Sequence, residues 1–369
     1  MGFTSDRIEV SDALECVEYF YRENMTDGLP VVPPTEQRVQ QFLEAVALSA
    51  DAKIAEIAER ASVITAEKLA INAVMAGCLP EYMPVLVAAV EALADPDFKF
   101  NHLASLGSPW PMVIVSGPIV RTLGMNHGMY VFGSGNRPNA TIGRALSLLL
   151  WNCCEVRPDA IQRGQLGNPH RYSLCIAENP DTAWEGLNEW EGFDRTTSTV
   201  TVASGYHLCM TRSACSVPRG ILAPLANAIA RHEFEPGCIV VMIPPNLEAL
   251  LVEQGWTKRH VRDFIFAHCR RSVKDLKEDA RWGRRASRFV DGLKDLVPVE
   301  PGDEERWVYL FKRNPDLDPY VFPEGALSRR ADIFIVAAGG DAGQTMGFYQ
   351  PYEQSTIPVT KPIKLPRHL

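Results

Sequence analysis

Cys78 stands in the stretch INAVMAGCLPEY (71–82), between Gly77, where an apolar helix must end, and Pro80, with Glu81 and Tyr82 opening the next turn. A thiol at a helix N-terminus is drawn toward the thiolate by the helix dipole, and a carboxylate three residues on is placed to move protons. The pattern therefore points to nucleophilic chemistry, with Cys78 as nucleophile, Glu81 as base or proton donor and Tyr82 beside them. A nearby carboxylate also opposes thiolate formation, so the reading calls for a compensating cation, for which Arg144 is the candidate. The plainer alternative is a cysteine that serves as small apolar filler.

Two glycine loops follow apolar strands. FGSGNRPNATIGRA (132–145) places Gly133, Ser134 and Gly135 ahead of a strongly apolar helix, with Asn139 or Thr141 as the expected cap. Free N–H groups and the positive end of the dipole favour an anion there. Arg144 lies in the first turns of that helix, and a guanidinium among apolar residues needs either an internal carboxylate or a bound oxyanion. AAGGDAGQT (337–345) sets Gly339, Gly340 and Asp341 at the carboxyl end of a strand, where ligands of open α/β sheets bind. Asp341 there either accepts from a ligand hydroxyl or caps the next turn. In CIAEN (175–179), an extended chain puts Cys175 and Asn179 on one face and points Glu178 away, so Asn179 joins the expected binding set.

Other chemistries fit less well. No Gly-Lys-Ser/Thr follows the first loop, and Pro138 occupies the third glycine position of a dinucleotide fingerprint, so no cofactor is expected. The eight histidines form no HxH or HExxH pattern; a metal site assembled from loops around His127 and His170 is a rival reading. No GxSxG elbow is present. The nine cysteines include no CxxC pair, and without an export signal they read as reduced, cytoplasmic thiols. The opening MGFTSDRIEVSD carries acids and no apolar run, so no signal peptide is expected.

The elements that must position these groups follow from periodicity. Helices are expected at 12–24 (cap Ser11), 36–48 (cap Thr35), 66–76 and 81–94, the third with almost no polar face and hence internal. Short strands are expected at 111–118 and 197–204, and a strand followed by an acidic turn within 171–184. Beyond them come a helix at 219–231, a strand at 238–245, a helix at 247–254 stopped by Gly255, a helix capped by Thr257, and a strand from 330. Strands alternating with helices imply an α/β fold with mainly parallel sheets and helices on both faces. At 369 residues and 46% apolar, two domains are expected, 1–195 and 196–369. A net charge of −8 disfavours nucleic acid, and no apolar run is long enough to span a membrane. Residues 257–296 carry 12 Lys/Arg against 6 Asp/Glu, which reads as a solvated helix face or as a basic rim for an anionic substrate or a partner subunit.

Several of these stretches resemble the UGSC (seleno)protein family: TDGLPVVPPT (26–35), INAVMAGCLPEYMPV (71–85), FGSGNRPNATIGRALSLLL (132–150), CIAENPDTAW (175–184) and VEQGWTKRHVRDFIFAH (252–268). The family's Sec/Cys-Gly-Ser-Cys motif implies thiol or selenol chemistry, but here the nearest text is SACS (213–216), which lacks the glycine. The combined expectation is a homo-oligomeric cytoplasmic enzyme that cleaves a bond in a small anionic molecule by thiolate-assisted hydrolysis or lyase chemistry. A thiol-redox enzyme, a loop-assembled metalloenzyme and a non-catalytic subunit of a larger complex are the rivals.

Overall fold

Short capped helices open the chain. In the computed structural model, which describes residues 2–104, 107–158, 160–232, 238–278, 302, 304–310, 333–350 and 357–365, α1 (Ala13–Arg22) is capped by Asp12 rather than Ser11. Thr35 caps α2 (Glu36–Glu44) as expected. A hairpin of β1 (Lys53–Ile57) and β2 (Ser62–Thr65), not foreseen from the sequence, leads into α3 (Ala66–Ala76). Gly77 ends α3 at φ +87°, a left-handed conformation that glycine adopts without a Cβ penalty. After a single 3₁₀ turn, α4 (Met83–Leu93) buries nine of its eleven residues. A helix apolar all round belongs inside a core, where each buried Leu or Val contributes about 1.5–3 kcal/mol.

The chain continues with β3 (Trp110–Ser116), the short α5 (Ile119–Thr122), the long α6 (Arg137–Cys154), β4 (Cys175–Ala177), the short α7 (Leu187–Trp190) and β5 (Thr199–Gly205). Then follow β6 (His207–Arg212), α8 (Pro218–His232), β7 (Ile239–Ile243), α9 (Pro245–Glu253), α10 (Lys258–His268), β8 (Arg270–Ser272), α11 (Val273–Glu278), β9 (Trp307–Tyr309), β10 (Ile333–Ala337), β11 (Thr345–Gln350) and β12 (Val359–Pro362). Gly255 and Thr257 punctuate α9 and α10 as expected. Part of the basic run, residues 279–296, and the first residues of the strand expected from 330 lie outside the described residues.

Two compact units result. One comprises Met1–Tyr206, Val336–Asp341 and Thr356–Leu369; the other His207–Ile335 and Ala342–Ser355. The expected cut at 195 falls within the first unit, ahead of β5. The α/β class holds, but the sheets are mixed instead of mainly parallel. In the first unit the order is β12-β5-β3-β4, with β3 and β4 parallel and the other neighbours antiparallel. In the second the order is β10-β7-β11-β6, with β11 antiparallel to both β7 and β6. Alternating helices and strands suggest parallel pairing only when each helix crosses over to a neighbouring strand. Here β3, β5 and β12 pair without that geometry.

The sheet of the first unit is buried on both faces. Val113, Val115, Cys175, Ala177, Val200 and Val202 point into the main apolar core. The alternate residues, Met112, Ile114, Ser116, Ile176, Thr199 and Thr201, are equally buried on the other face, which is partly polar. There the Thr201 and Thr360 hydroxyls bond to one another at 2.9 Å. No helix among the described residues is long and apolar enough to cross a membrane.

Candidate functional site

α6 organises the segments singled out from the sequence. Its cap is Asn136, whose side chain accepts from the Asn139 N–H; the cap thus lies three residues before Asn139 and five before Thr141, the two expected caps, with Pro138 tolerated in the first turn. Arg137, Arg144 and Trp151 recur every seven residues, two helical turns, so they share a face. Arg137 donates to Gly77 O at 3.0 and 2.9 Å. Arg144 grips Asp27 with Nε and Nη2, each at 2.9 Å, and donates further to Leu29 O and Pro30 O. Trp151 donates to Asn24 O at 2.8 Å. On another side of α6, an ideal Cβ on Gly143 would stand 2.7 Å from Leu174 N, so only glycine lets the start of β4 approach this closely.

These contacts correct the reading of Cys78. The residue is 5% exposed, and its Sγ donates to Thr141 O at 3.2 Å. Burial pushes its thiol up to about 12, and the bond to Thr141 and the charges of Arg137 and Arg144 do not offset this. It is a neutral thiol packed under α6, the opposite of the thiolate expected at a helix N-terminus. Tyr82 is buried at 4%, and burial first, then the Glu81 charge, raises its phenol. Glu81 is exposed. Arg144 does sit near Cys78, but its guanidinium is spent on an internal carboxylate, the first of its two expected partners.

The glycine loops hold part of their residues in internal contacts and leave the rest at the surface. Gly133 N–H donates to Tyr130 O at 2.7 Å, Gly135 turns at φ +110°, and Ser134 is exposed. Asn139, 4% exposed, clamps Asn126 through both ends of its amide, at 3.0 and 2.8 Å. In the second loop Gly339 N–H donates to His127 O at 3.0 Å, and Gly340 lies against Met129. Asp341 is exposed.

What the structure does offer is a polar cleft in the first unit, of about 230 Å³, at the carboxyl ends of the parallel pair β3 and β4. Its wall includes Gly117, Arg121, Glu178, Asn179, Asn188, Glu189 and Arg195. Of the residues expected from sequence, Asn179 alone lines it. Its N–H donates to Ala337 O at 2.7 Å and its Oδ1 accepts from Asp181 N–H at 3.1 Å, which fixes the loop after β4.

Glu178, read as pointing away, is the buried carboxylate of the cleft at 2% exposure. It extends the β4 ladder by donating its N–H to Val115 O at 2.9 Å, and its Oε2 accepts from Leu187 N–H at 2.6 Å. Two guanidiniums stand at the rim. Arg121 pairs with Asp181, and Arg195 donates to Thr182 O at 2.9 Å with Glu189 at 3.9 Å. Both side chains remain more than half exposed. His127 lies within electrostatic reach of Arg121 and Asp181; burial lowers its pKa, against the pull of Asp181. Two cationic forks over a buried carboxylate suit an anionic small molecule and proton movement, and the wall carries no thiol.

Sequence reasoning missed Arg121 and Arg195 and set Glu178 aside. The available signal was positional: PMVIVSGP and CIAENP both place a turn directly after a buried strand. Among the described residues, no group of three or more His, Cys, Asp or Glu is arranged to hold a metal ion. Compared with known proteins, the chain matches no family model and no curated sequence.

Proposed function

We propose that this chain is an enzyme for a small anionic organic molecule, bound in the cleft at the ends of β3 and β4. The observation that carries the reading is Glu178, a buried carboxylate at the carboxyl end of a parallel pair, facing a cleft rimmed by Arg121 and Arg195. In this reading the two guanidiniums hold the substrate's carboxylate or other anionic group. Glu178 takes a proton from the substrate, or from a water attacking it, and returns it to the leaving group. Hydrolysis or lyase-type cleavage is thus retained as the reaction class, with a carboxylate in place of the thiol. Kinship with the UGSC (seleno)protein family belongs to the same proposal. In its support, four of the stretches that carry the resemblance meet around α6, through Asp27, Gly77, Arg144 and the start of β4.

The test is turnover of a panel of small organic acids, amides and esters by the full chain, with products followed by mass. Glu178→Gln keeps an acceptor for Leu187 N–H, so it should fold while losing about 10²–10⁴ in rate. Arg121→Gln should raise KM for acidic members of the panel. Full turnover in Glu178→Gln would overturn the reading.

A further inference from the structure

The second unit sets a thiol among imidazoles. On β6, His207 and Cys209 are two residues apart and so share a face of the sheet. His232, the last residue of α8, meets that face, with its Nε2 3.6 Å and its Nδ1 3.8 Å from Cys209 Sγ. In either tautomer, therefore, the ring nitrogen that carries the lone pair stands within 3.8 Å of the sulfur. The His207 and His232 rings pack edge-on, their centroids 4.5 Å apart. Gln350, directly opposite His207 in the β6–β11 ladder, is 1% exposed, and its Oε1 has no hydrogen-bond partner. Opposite residues of a ladder share a face, and diagonal neighbours are within reach of a long side chain, so this orphaned acceptor stands on the face that carries Cys209.

Solvent reaches the cluster. Cys209, His207 and His232 are all partly exposed, whereas six of the nine cysteines are buried. Histidines 207 and 232 and the thiol are not arranged as a metal ligand set, which leaves the sulfur's nucleophilicity. We infer that Cys209 is a modification site, at which a small hydroperoxide oxidises the sulfur to a sulfenic acid with His232 as base. His232 takes the thiol proton, and the sulfur attacks one peroxide oxygen. An S–O bond forms as the O–O bond breaks, and His232 returns the proton to the departing oxygen, which leaves as water or an alcohol. The sulfur is oxidised and the peroxide reduced, with no further reactant. Half-burial raises the Cys209 thiol, so the resting sulfur is protonated and the base beside it is needed. The imidazolium formed in passing sits at the C-terminal end of α8, where the helix dipole favours a cation. The hydroxyl placed on sulfur is a new donor, and Gln350 Oε1 is the unmatched acceptor available to it. This chemistry is separate from the reaction proposed for the cleft and does not depend on it.

The experiment exposes the native full chain to limiting hydrogen peroxide with dimedone, which traps sulfenic acids, and locates the adduct by peptide mass. Cys209 should be trapped first, at least about tenfold faster than Cys153 and Cys215, the other two partly exposed cysteines. His232→Asn, at an unchanged melting temperature, should slow trapping at Cys209 by about 10²-fold or more. Where that variant melts early, the order of trapping in the wild-type chain decides alone. First labelling at Cys153 or Cys215, or no adduct at Cys209 until the chain unfolds, would overturn the inference. So would an unchanged rate at Cys209 in a folded His232→Asn.

Discussion

Arg144 and Asp27 form a two-pronged ion pair, Nε and Nη2 each 2.9 Å from a carboxylate oxygen, with side chains only 16% and 7% exposed. A residue that looked from the sequence like an anion receptor is thereby a clasp between α6 and the TDGLPVVPP segment. Asp27 also accepts from Leu29 N–H, and Arg144 reaches Leu29 O and Pro30 O, so the pair fixes the backbone of that segment as well.

Removing one partner of such a buried pair leaves the other charge uncompensated. Arg144→Ala should therefore destabilise the protein by about 3–5 kcal/mol in chemical denaturation. Arg144→Lys should also destabilise it, because an ammonium cannot reproduce the fork. A stability change below about 0.5 kcal/mol for Arg144→Ala would show that the clasp contributes little.

Cys78 should behave as packing. Its thiol, raised to about 12 by burial, should resist alkylation at pH 8 in the native protein and react once the chain is unfolded. Cys78→Ala should lose some stability and keep turnover. Loss of turnover at an unchanged melting temperature would return the thiol to the mechanism.

Acid stability should depend on Glu67. This carboxylate is 1% exposed; burial pushes it up, but donors from the Thr4 N–H, the Thr4 hydroxyl and the Ser5 N–H outweigh that and lower its pKa overall. With the folded pKa below the ordinary 4.5, the unfolded chain binds more protons in this range, so stability rises with pH there. The contribution is present above about pH 4.5 and is lost as pH falls through the folded value. Denaturation midpoints of Glu67→Gln should be lower than wild type at pH 6 and converge with it in strong acid. Parallel pH curves for the two proteins would contradict this.

Local signals were legible where local chemistry decides. α3 spans the residues expected of it, Thr35 and Thr257 cap their helices, and Gly255 stops α9. α6 was placed late because Pro138 looked like part of a loop, whereas a first helical turn has no use for the missing N–H. Cys78 was misread for a tertiary reason: the turn that holds it is local, but the burial that neutralises it comes from α6, 63 residues away at Thr141. Glu178 was set aside because it shares no face with Cys175. That geometry was right, but Cys175 faces the apolar core and the cleft lies by Glu178. The return of residues 336–341 and 356–369 to the first unit has no signature in periodicity at all.

The central claim is best tested by crystallography of the full chain with malate. The account predicts ligand density between Arg121 and Arg195, beside Glu178. Density against Gly133–Asn139 at the start of α6, or a cleft left empty while malate occupies another pocket, would contradict it.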